Sequence, residues 1–342
     1  MLRQKAKERC RPGLHRTDDD QKLPGLRGGA DITAFGHVQN DVHLPNPKAA
    51  VIVPTKNRPG QLAVCLEAMA EQDHPDFHVV VIDNGGKVDL EPVAAPHRDW
   101  VTLLSEMKPG PAAARNAGVR VAEAEMIAFT DDDCRPEPQW LSTLDAALSR
   151  DRDALIGGET INRLQDSICS QTSQTLVSFL YSYYGATAGT MPYFASNNLA
   201  CSRDVFLDLG GFDETFPNAA AEDRDLGMRW GESGRALVFA PEARVHHAHH
   251  LTLLNFCRQH RNYGRGARHL HQLMARRGAE ALPFEGFGFY GKLLTYPMRQ
   301  RQRHALRQSA LLFLSQLATA YGYYTLAFRN RAWRDTKRVD LP

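Results

Sequence analysis

The sequence is poor in cysteine and nearly balanced in charge. Its 342 residues include six cysteines that are far apart and form no CxxC pair: Cys10, Cys65, Cys134, Cys169, Cys201 and Cys257. This spacing is typical of reduced thiols in a cytosolic protein and argues against a disulfide framework or a cysteine-based zinc site. The formal net charge of +2 gives no reason to expect a nucleic acid partner.

The N-terminal residues do not predict an apolar leader. Residues 1–22 are polar and charged and lack the apolar segment of a signal peptide, so we expect a cytoplasmic protein. Residues 1–46 are rich in charge, glycine and proline and predict a flexible N-terminal extension, with one candidate strand near Asp31–Val38. The main domain is predicted over residues 47–255, and a helical C-terminal region over residues 256–342.

Apolar runs and helical spacing alternate from residue 49 onward. Strands are predicted at Ala49–Val53, Phe77–Ile82, Val101–Leu104 and Met126–Thr130. Helical spacing of apolar residues follows the first strand, and Ala112–Ala124 predicts a further helix with Pro111 in its first turn. This alternation predicts an α/β fold in which helices flank both faces of a mostly parallel sheet.

The predicted strands end in polar residues. Pro54–Arg58 follow the first strand, Asp83 and Asn84 the second, and Asp131–Asp133 the fourth. Ligands of parallel sheets collect at the carboxyl ends of the strands. Three adjacent carboxylates repel one another unless their charge is dispersed, and Mg²⁺ or Mn²⁺ holding a phosphate does this well. The residues alone therefore indicate a metal–phosphate site, with a solvated acidic turn as the alternative.

The second half of the sequence is less regular. Ile156–Glu159 is predicted to end a strand, and residues 166–190 to form a helix and a mobile loop over the site. Glu222 and Asp223 predict the start of a helix, because acidic side chains are stabilised by the positive N-terminal end of the helix dipole. Ala236–Ala240 predicts a last short strand, which leads to a cluster of histidines at positions 246, 247, 249 and 250.

Six segments occur in the order and spacing of a known family. They are AVIVPTKNRPGQL, VVVIDNGG, GPAAARNAGV, IAFTDDDCRPEPQWL, SNNLACSRDVFLDLGGFDE and AEDRDLGMRW, between Ala49 and roughly His250. With them the chain resembles the family 2 glycosyltransferases, enzymes of the GT-A fold that use nucleotide sugars. The resemblance implies a Rossmann-like catalytic domain over residues 47–255 and a divalent metal cofactor, Mn²⁺ or Mg²⁺.

The resemblance assigns a donor site to residues near the strand ends. The residues that match the loop cradling the nucleoside are Pro54, Thr55, Asn57 and Arg58. Asp83 matches the acid that binds the base or ribose, although an acid that caps a turn is the alternative. Arg115 matches an arginine that helps to order the donor pocket, and a helix-surface ion pair is the alternative.

The three aspartates match the DxD motif of the family. By resemblance, Asp131 faces the ribose beside the metal, Asp132 supports the turn within the donor site, and Asp133 binds the metal that bridges the two phosphates. Many relatives place a histidine near the metal or the diphosphate after the last strand, so His246 or His247 is a candidate ligand. Packed or surface histidines and a separate zinc site are the alternatives.

Glu222 and Asp223 match the acid pair on the acceptor side of the family. Asp223 would be the general base that removes the proton of the acceptor hydroxyl, unless both acids merely begin a helix. The implied function is metal-dependent, inverting transfer of a sugar from a nucleotide-sugar donor to a hydroxyl of a glycan, a lipid-linked or a small-molecule acceptor. The alternatives are a nucleotidyltransferase or phosphohydrolase, and a non-catalytic scaffold of the same fold.

The C-terminal third carries two further patterns. Residues 258–266 are basic and aromatic and could contact the diphosphate, the acceptor or anionic lipid, or could form a solvated basic helix. Leu311–Phe328 is uncharged and flanked by arginines, but its polar residues and tyrosines make it a poor membrane span. It could lie at a membrane interface, including the inner face of the plasma membrane. It could also pack against the catalytic domain or against a second subunit of a homo-oligomer.

Overall fold

The computed structural model describes residues 46–188, 193–216, 220–279 and 285–338. Residues 1–45 of the expected N-terminal extension lie outside the described residues. They include the candidate strand at Asp31–Val38 and Cys10. The five cysteines in the described part are free thiols, as their spacing predicted, and four of them are buried.

Strands and helices alternate in the first half of the domain. The elements are β1 (Ala49–Thr55), α1 (Pro59–Ala70), β2 (Phe77–Asp83), α2 (Glu91–Ala94), β3 (Val101–Ser105), α3 (Pro111–Val121) and β4 (Met126–Thr130). The strands lie in the order β3-β2-β1-β4, and every neighbouring pair is parallel. Val51 in β1 is opposite both Val79 and Ala128. The carboxyl ends of the four strands therefore lie at one edge of the sheet, which confirms the predicted α/β alternation.

The second half extends the sheet with mixed pairing. The elements are β5 (Cys134–Pro136), α4 (Trp140–Arg150), β6 (Leu155–Asn162), α5 (Ile168–Ala188), β7 (Asn198–Ser202), α6 (Arg203–Asp208), α7 (Glu222–Glu232) and β8 (Leu237–His247). The complete order is β3-β2-β1-β4-β7-β6-β8-β5. β7 is antiparallel to β4 and β6, β5 is antiparallel to β8, and β6 is parallel to β8.

The prediction that the last strand ends at Ala240 was wrong. β8 continues to His247. Its pairing with β6 is interrupted after Ala240, where three residues have no partner in that strand, and it resumes at Arg244 with a shifted register. A bulge of this kind accommodates Pro241, which has no backbone N–H to give to the ladder. His246 and His247 consequently lie within the strand and not after it.

Three other boundaries also differ from the expectation. β6 continues past Glu159 to Asn162, because β8 pairs with it along this length. α5 fills Ile168–Ala188 as one helix, where a helix and a loop were expected. α3 ends at Val121, since Ala122 is already extended.

The sheet separates two apolar cores. On one face, Val51 packs in a cluster with Trp140 of α4 and with α1; on the other, Ile52 packs in a cluster with Trp230 of α7 and with α3. Successive strand residues point to opposite faces, so a sheet covered on both sides requires continuous apolar runs. Gly118 lets α3 approach the sheet, because a Cβ there would lie 2.7 Å from the Ile52 side chain.

Three helices follow the sheet: α8 (Leu253–Arg277), α9 (Phe287–Arg299) and α10 (Ala305–Arg338). α8 and α10 cross at glycines. A Cβ on Gly264 would lie 1.9 Å from the carbonyl oxygen of Thr319, and a Cβ on Gly322 equally close to that of Arg261. One face of α10 therefore packs closely on α8. Among the residues described, no helix combines the length and apolar character that a membrane span requires.

We expect Gly264→Ala to destabilise the chain, because the added methyl group would overlap the backbone of α10 and push the two helices apart. Overpacking of this kind costs about 1–3 kcal/mol. Gly60→Ala in α1 is the matched control, since nothing lies within 4 Å of a Cβ at that position. Urea unfolding followed by circular dichroism measures both variants. An unchanged free energy of unfolding for Gly264→Ala would contradict the close crossing.

Candidate active site

The carboxyl ends of β1, β2 and β4 meet at one edge of the sheet. Thr55 pairs with Asp83 across β1 and β2, and the amide of Asn84 donates to the Thr55 carbonyl over 2.9 Å. The Thr55 hydroxyl in turn donates to Asp132, which follows β4, over 2.7 Å. The structure therefore brings together the three polar strand ends that the sequence analysis singled out.

Asp132 connects the loop after β1 to the acidic turn. It is only 3% exposed and accepts hydrogen bonds from the Thr55 hydroxyl and from Nη1 of Arg58, the latter over 3.0 Å. Burial and the neighbouring aspartate charges raise the pKa of Asp132 to about 6, against the opposing effects of Thr55 and Arg58. These two hydrogen bonds use both carboxylate oxygens of Asp132. Asp132 and Thr55 therefore hold the loop after β1 in place and are not directed toward a ligand.

Asp133 faces a histidine of β8. Its Oδ1 lies 3.1 Å from Nε2 of His247, and its Oδ2 lies 3.5 Å from Nη1 of Arg58. Burial alone would raise the pKa of Asp133, but the hydrogen bond and charge of His247 outweigh it and lower this pKa. Burial would likewise lower the pKa of His247, yet Asp133 raises it. The two groups therefore form a charged pair.

The same two residues have the spacing of metal ligands. The possible ligand atoms of Asp133, Cys134 and His247 all lie within 4.8 Å of one another. Burial raises the pKa of the Cys134 thiol well above its ordinary value, which disfavours its thiolate form. The carboxylate of Asp133 and the imidazole of His247 are both common ligands of divalent metal ions.

His246 lies on the other side of β8. Its Nε2 is 2.9 Å from Oε1 of Glu137, because neighbouring residues of a strand point to opposite faces. It lines a cavity of about 250 Å³ together with Arg135 and Arg163, among other residues. Of the two histidines proposed from the sequence, the structure brings His247 to the aspartates and not His246.

A buried arginine joins the aspartates to the acids of α7. Arg115 in α3 is 3% exposed; its Nη2 lies 2.7 Å from Oδ1 of Asp131, and its Nη1 lies 3.4 Å from Oε1 of Glu222. The guanidinium also lies over the ring of Phe212, 5.6 Å from its centroid. Arg115 is therefore not a surface ion pair, which was the alternative interpretation of the sequence.

Glu222 and Asp223 begin α7 beside this arginine. Burial and the charge of Asp223 raise the pKa of Glu222, against Arg115. Burial also raises the pKa of Asp223, against Arg224 and Arg115. Ala221, at the helix start, has a left-handed φ of 72°. The pair is thus poised to hold a proton at a higher pH than carboxyl groups in water.

A glycine of α8 packs against the loop that precedes this acid pair. A Cβ on Gly266 would lie 2.3 Å from the carbonyl oxygen of Ala220. In addition, Nη1 of Arg277 in α8 lies 2.6 Å from Oδ1 of Asp225. Helix α8 therefore fixes the position of the first turn of α7.

The remaining residues of the predicted donor site brace the loops. Asp83 accepts a hydrogen bond from the Gly86 amide over 2.9 Å, as an acid capping a turn would. Asn57, whose φ is 55°, accepts one from the Lys87 amide over 2.6 Å and so ties the loop after β1 to the loop after β2. Pro54 is half-buried at the end of β1.

Two polar side chains near Asp223, those of Arg224 and Tyr193, were not among the predicted site residues. Nη2 of Arg224 donates to the Tyr193 hydroxyl over 3.2 Å, and its guanidinium lies 4.8 Å from the centroid of that ring. Burial, and then the charge of Asp223, raises the pKa of Tyr263. Arg224 directly follows the acid pair and could have been found there. Tyr263 lies in the basic and aromatic segment 258–266 that the sequence already indicated, whereas Tyr193 carries no local signal.

Comparison with known proteins agrees with this geometry. Residues 50–210 match the family model described as Glycosyl transferase family 2. The chain is 27% identical over 223 residues to the pre-mycofactocin glycosyltransferase of Mycobacterium tuberculosis, which covers 64% of this chain and 46% of that protein. It is 26% identical over 202 residues to the glycosyltransferase AglE of Haloferax volcanii, covering 57% of this chain and 64% of the relative. The chain thus spans less than two thirds of either relative.

A solved structure shares the fold. The mannosyltransferase PcManGT from Pyrobaculum calidifontis, in complex with GDP-Man and Mn²⁺, has a TM-score of 0.54 at 22% identity and covers 84% of this chain and 81% of its own. This similarity confirms the predicted GT-A type of sheet with flanking helices and a helical C-terminal region.

We expect Arg115→Met to destabilise the chain strongly, because it removes the positive charge from a buried contact with Asp131 and Glu222. Leaving one partner of a buried ion pair alone costs about 3–5 kcal/mol. Arg152→Gln is the matched control, since this arginine is exposed and its ion pair with Glu125 is long, at 3.7 Å. It should change stability by no more than about 0.5 kcal/mol. Equal losses in urea unfolding for the two variants would contradict the bridging role of Arg115.

Proposed function

Because residues 50–210 match the model of glycosyltransferase family 2, we propose that this chain is a metal-dependent, inverting glycosyltransferase. It moves a sugar from a nucleotide-sugar donor to the hydroxyl group of an acceptor. The observation that carries the proposal is the Arg115 bridge, since one buried guanidinium contacts both the acidic turn after β4 and the acid pair of α7. A phosphate site and a candidate proton acceptor facing each other are what glycosyl transfer requires.

The donor binds at the ends of β1, β2 and β4. Arg58, whose side chain is 51% exposed, lies beside Asp132 and Asp133 and is available to the donor phosphates. Thr55 and Asn57 shape the loop through their own hydrogen bonds. Asp83 stands at the end of β2 beside the base or ribose, and the partly exposed Asp131 faces the ribose.

A divalent cation, Mn²⁺ or Mg²⁺, would be held by Asp133 and His247, with Asp131 beside them. The carboxylate and imidazole of the first two already lie 3.1 Å apart, and cation binding would displace the proton that they share. When bound, the cation supplies positive charge that stabilises the departing nucleoside diphosphate.

Asp223 acts as the general base. The acceptor O–H bond breaks and its proton passes to the Asp223 carboxylate, while the acceptor oxygen bonds to the anomeric carbon from the face opposite the diphosphate. The bond between that carbon and the diphosphate oxygen breaks, and the leaving group takes its electron pair. Burial strengthens the base by raising its pKa. The backbone amide of Arg224 donates to Oδ1 of Asp223 over 2.8 Å and keeps this carboxylate in position.

Several further assignments stay predictions. These are the division into residues 1–46, 47–255 and 256–342, the cytoplasmic location, and the contact of the C-terminal region with a membrane or with a second subunit. The identity of the acceptor is open among a glycan, a lipid-linked and a small-molecule hydroxyl compound.

Asp223→Asn should lower the rate of transfer about 10²–10⁴-fold, because it removes the proton acceptor and changes little in shape. The measurement is release of nucleoside diphosphate from a panel of nucleotide sugars, with calorimetric binding of the nucleoside diphosphate in parallel. Glu232→Gln is the control, since this acid lies exposed at the other end of α7.

We expect the Asp223→Asn variant to bind the nucleoside diphosphate as the wild type does, and near-normal turnover by it would refute the role of base. Release of a nucleoside monophosphate or of pyrophosphate by the wild type would point instead to a phosphohydrolase or nucleotidyltransferase. Binding without any release from the whole panel would support a scaffold.

Chelation should abolish activity, and Mn²⁺ or Mg²⁺ should restore it to the wild type but not to Asp133→Ala, because that variant lacks one of the two proposed ligands. Asp99→Ala is the control, since this exposed aspartate precedes β3 and the site lies at the carboxyl ends of the strands. Titration of Mn²⁺ by calorimetry gives a second readout, in which Asp133→Ala should bind at least about tenfold more weakly. Full activity of the wild type in excess EDTA would contradict the metal requirement.

A further inference from the structure

Helix α9, the turn after it and most of α10 carry positive charge without an acidic residue. Residues 286–334 contain eight lysines and arginines and no aspartate or glutamate, although the chain as a whole is almost neutral at +2. Four exposed arginines of this stretch surround the start of α10: Arg299, Arg301, Arg303 and Arg307. We call these four residues the basic turn. None of them forms an ion pair with another residue in the described part of the chain.

An exposed apolar face adjoins the basic turn. Five large side chains of α10, here called the α10 stripe, recur at intervals of three, four or seven residues: Leu306, Phe313, Leu317, Tyr321 and Tyr324. Their exposed fractions lie between 52% and 76%. At 3.6 residues per turn these positions fall on one side of the helix. Large apolar side chains that are exposed in a row mark an interaction surface.

The opposite face of α10 is already occupied. Leu312 and Ser315 are fully buried, Gly322 lies against the backbone of α8, and Gln308 accepts a hydrogen bond from Thr175 of α5. Because the helix is fixed along this face, the α10 stripe cannot turn inward. Its apolar surface faces away from the rest of the described chain.

Charge decides which kind of partner fits. If the stripes of two copies paired, the basic turn of one would lie near the basic turn or the far end of α10 in the other. The sequence of that far end is also net positive, with arginines at positions 329, 331 and 334 and one aspartate at position 335. Either orientation sets positive charge against positive charge, which disfavours self-association. An anionic surface with an apolar interior complements both features.

We propose that the α10 stripe and the basic turn bind to the surface of an anionic phospholipid bilayer. The arginines contact lipid phosphates, while Phe313 and Leu317 enter the boundary between headgroups and acyl chains and the tyrosines lie at headgroup depth. The helix lies along the surface and does not cross it. This inference does not depend on the proposed function.

The test is co-sedimentation of the full chain with vesicles, without donor or acceptor. The wild type should bind vesicles of equal parts phosphatidylglycerol and phosphatidylcholine, bind phosphatidylcholine alone at least about tenfold more weakly, and be released by salt. Phe313→Ser/Leu317→Ser should lower the partition coefficient at least about tenfold. The triple variant Arg299→Gln/Arg303→Gln/Arg307→Gln should do the same and lose the salt dependence.

Matched controls separate this surface from general effects. Leu207→Ser changes an apolar residue of α6 that is 39% exposed, and Arg98→Gln/Arg150→Gln/Arg152→Gln removes three exposed arginines elsewhere. Both should bind as the wild type does, and circular dichroism should show every variant folded. Absence of wild-type binding to anionic vesicles would overturn the proposal. A dimer in sedimentation velocity that only Phe313→Ser/Leu317→Ser dissociates, with vesicle binding unchanged, would overturn it in favour of a second copy.

Discussion

A buried guanidinium holds the two halves of the site together. Arg115 reaches Asp131 after β4 on one side and Glu222, 107 positions further along the chain, on the other. The donors of a guanidinium lie in one rigid plane, so the positions of the two carboxylates are constrained relative to each other. Without this charge Glu222 would be buried beside Asp223 with no cation in contact, which is a costly arrangement. This side chain therefore connects the proposed donor site to the acid pair that contains the proposed base.

Three consecutive aspartates acquire different roles from their surroundings. Asp132 is buried under Thr55 and Arg58, and burial raises its pKa to about 6. Asp133 meets His247, whose charge and hydrogen bond lower its pKa in spite of burial. Asp131 stays partly exposed and pairs with Arg115. The turn directs each carboxylate to a different neighbour, and burial together with these neighbours shifts the pKa of Asp132 and that of Asp133 in opposite directions.

The C-terminal helices are part of the same structure and not a separate appendage. Helix α8 contacts the loop before the acid pair at Ala220 through Gly266, and its Arg277 holds Asp225 in α7. Helix α10 in turn packs on α8 at Gly264. Close backbone contacts of this kind leave little room for adjustment, because protein interiors are densely packed. Helix α8 therefore lies between α10, which carries the surface proposed to bind lipid, and α7, which carries the proposed base, and packs against both.

The sequence alone determined the parallel half of the sheet and the chemistry at its edge. Strands buried on both faces need continuous apolar runs, and these runs are visible around Val51, Val80 and Ile127. Polar residues after each run then mark the ligand edge. Only the tertiary structure decided how β8 continues beyond Pro241, because the bulge exists through pairing with β6. It also decided between His246 and His247, since strand register alone selects which neighbour faces the aspartates. The same holds for Tyr193 beside Arg224, because contacts between distant segments leave no pattern in the local sequence.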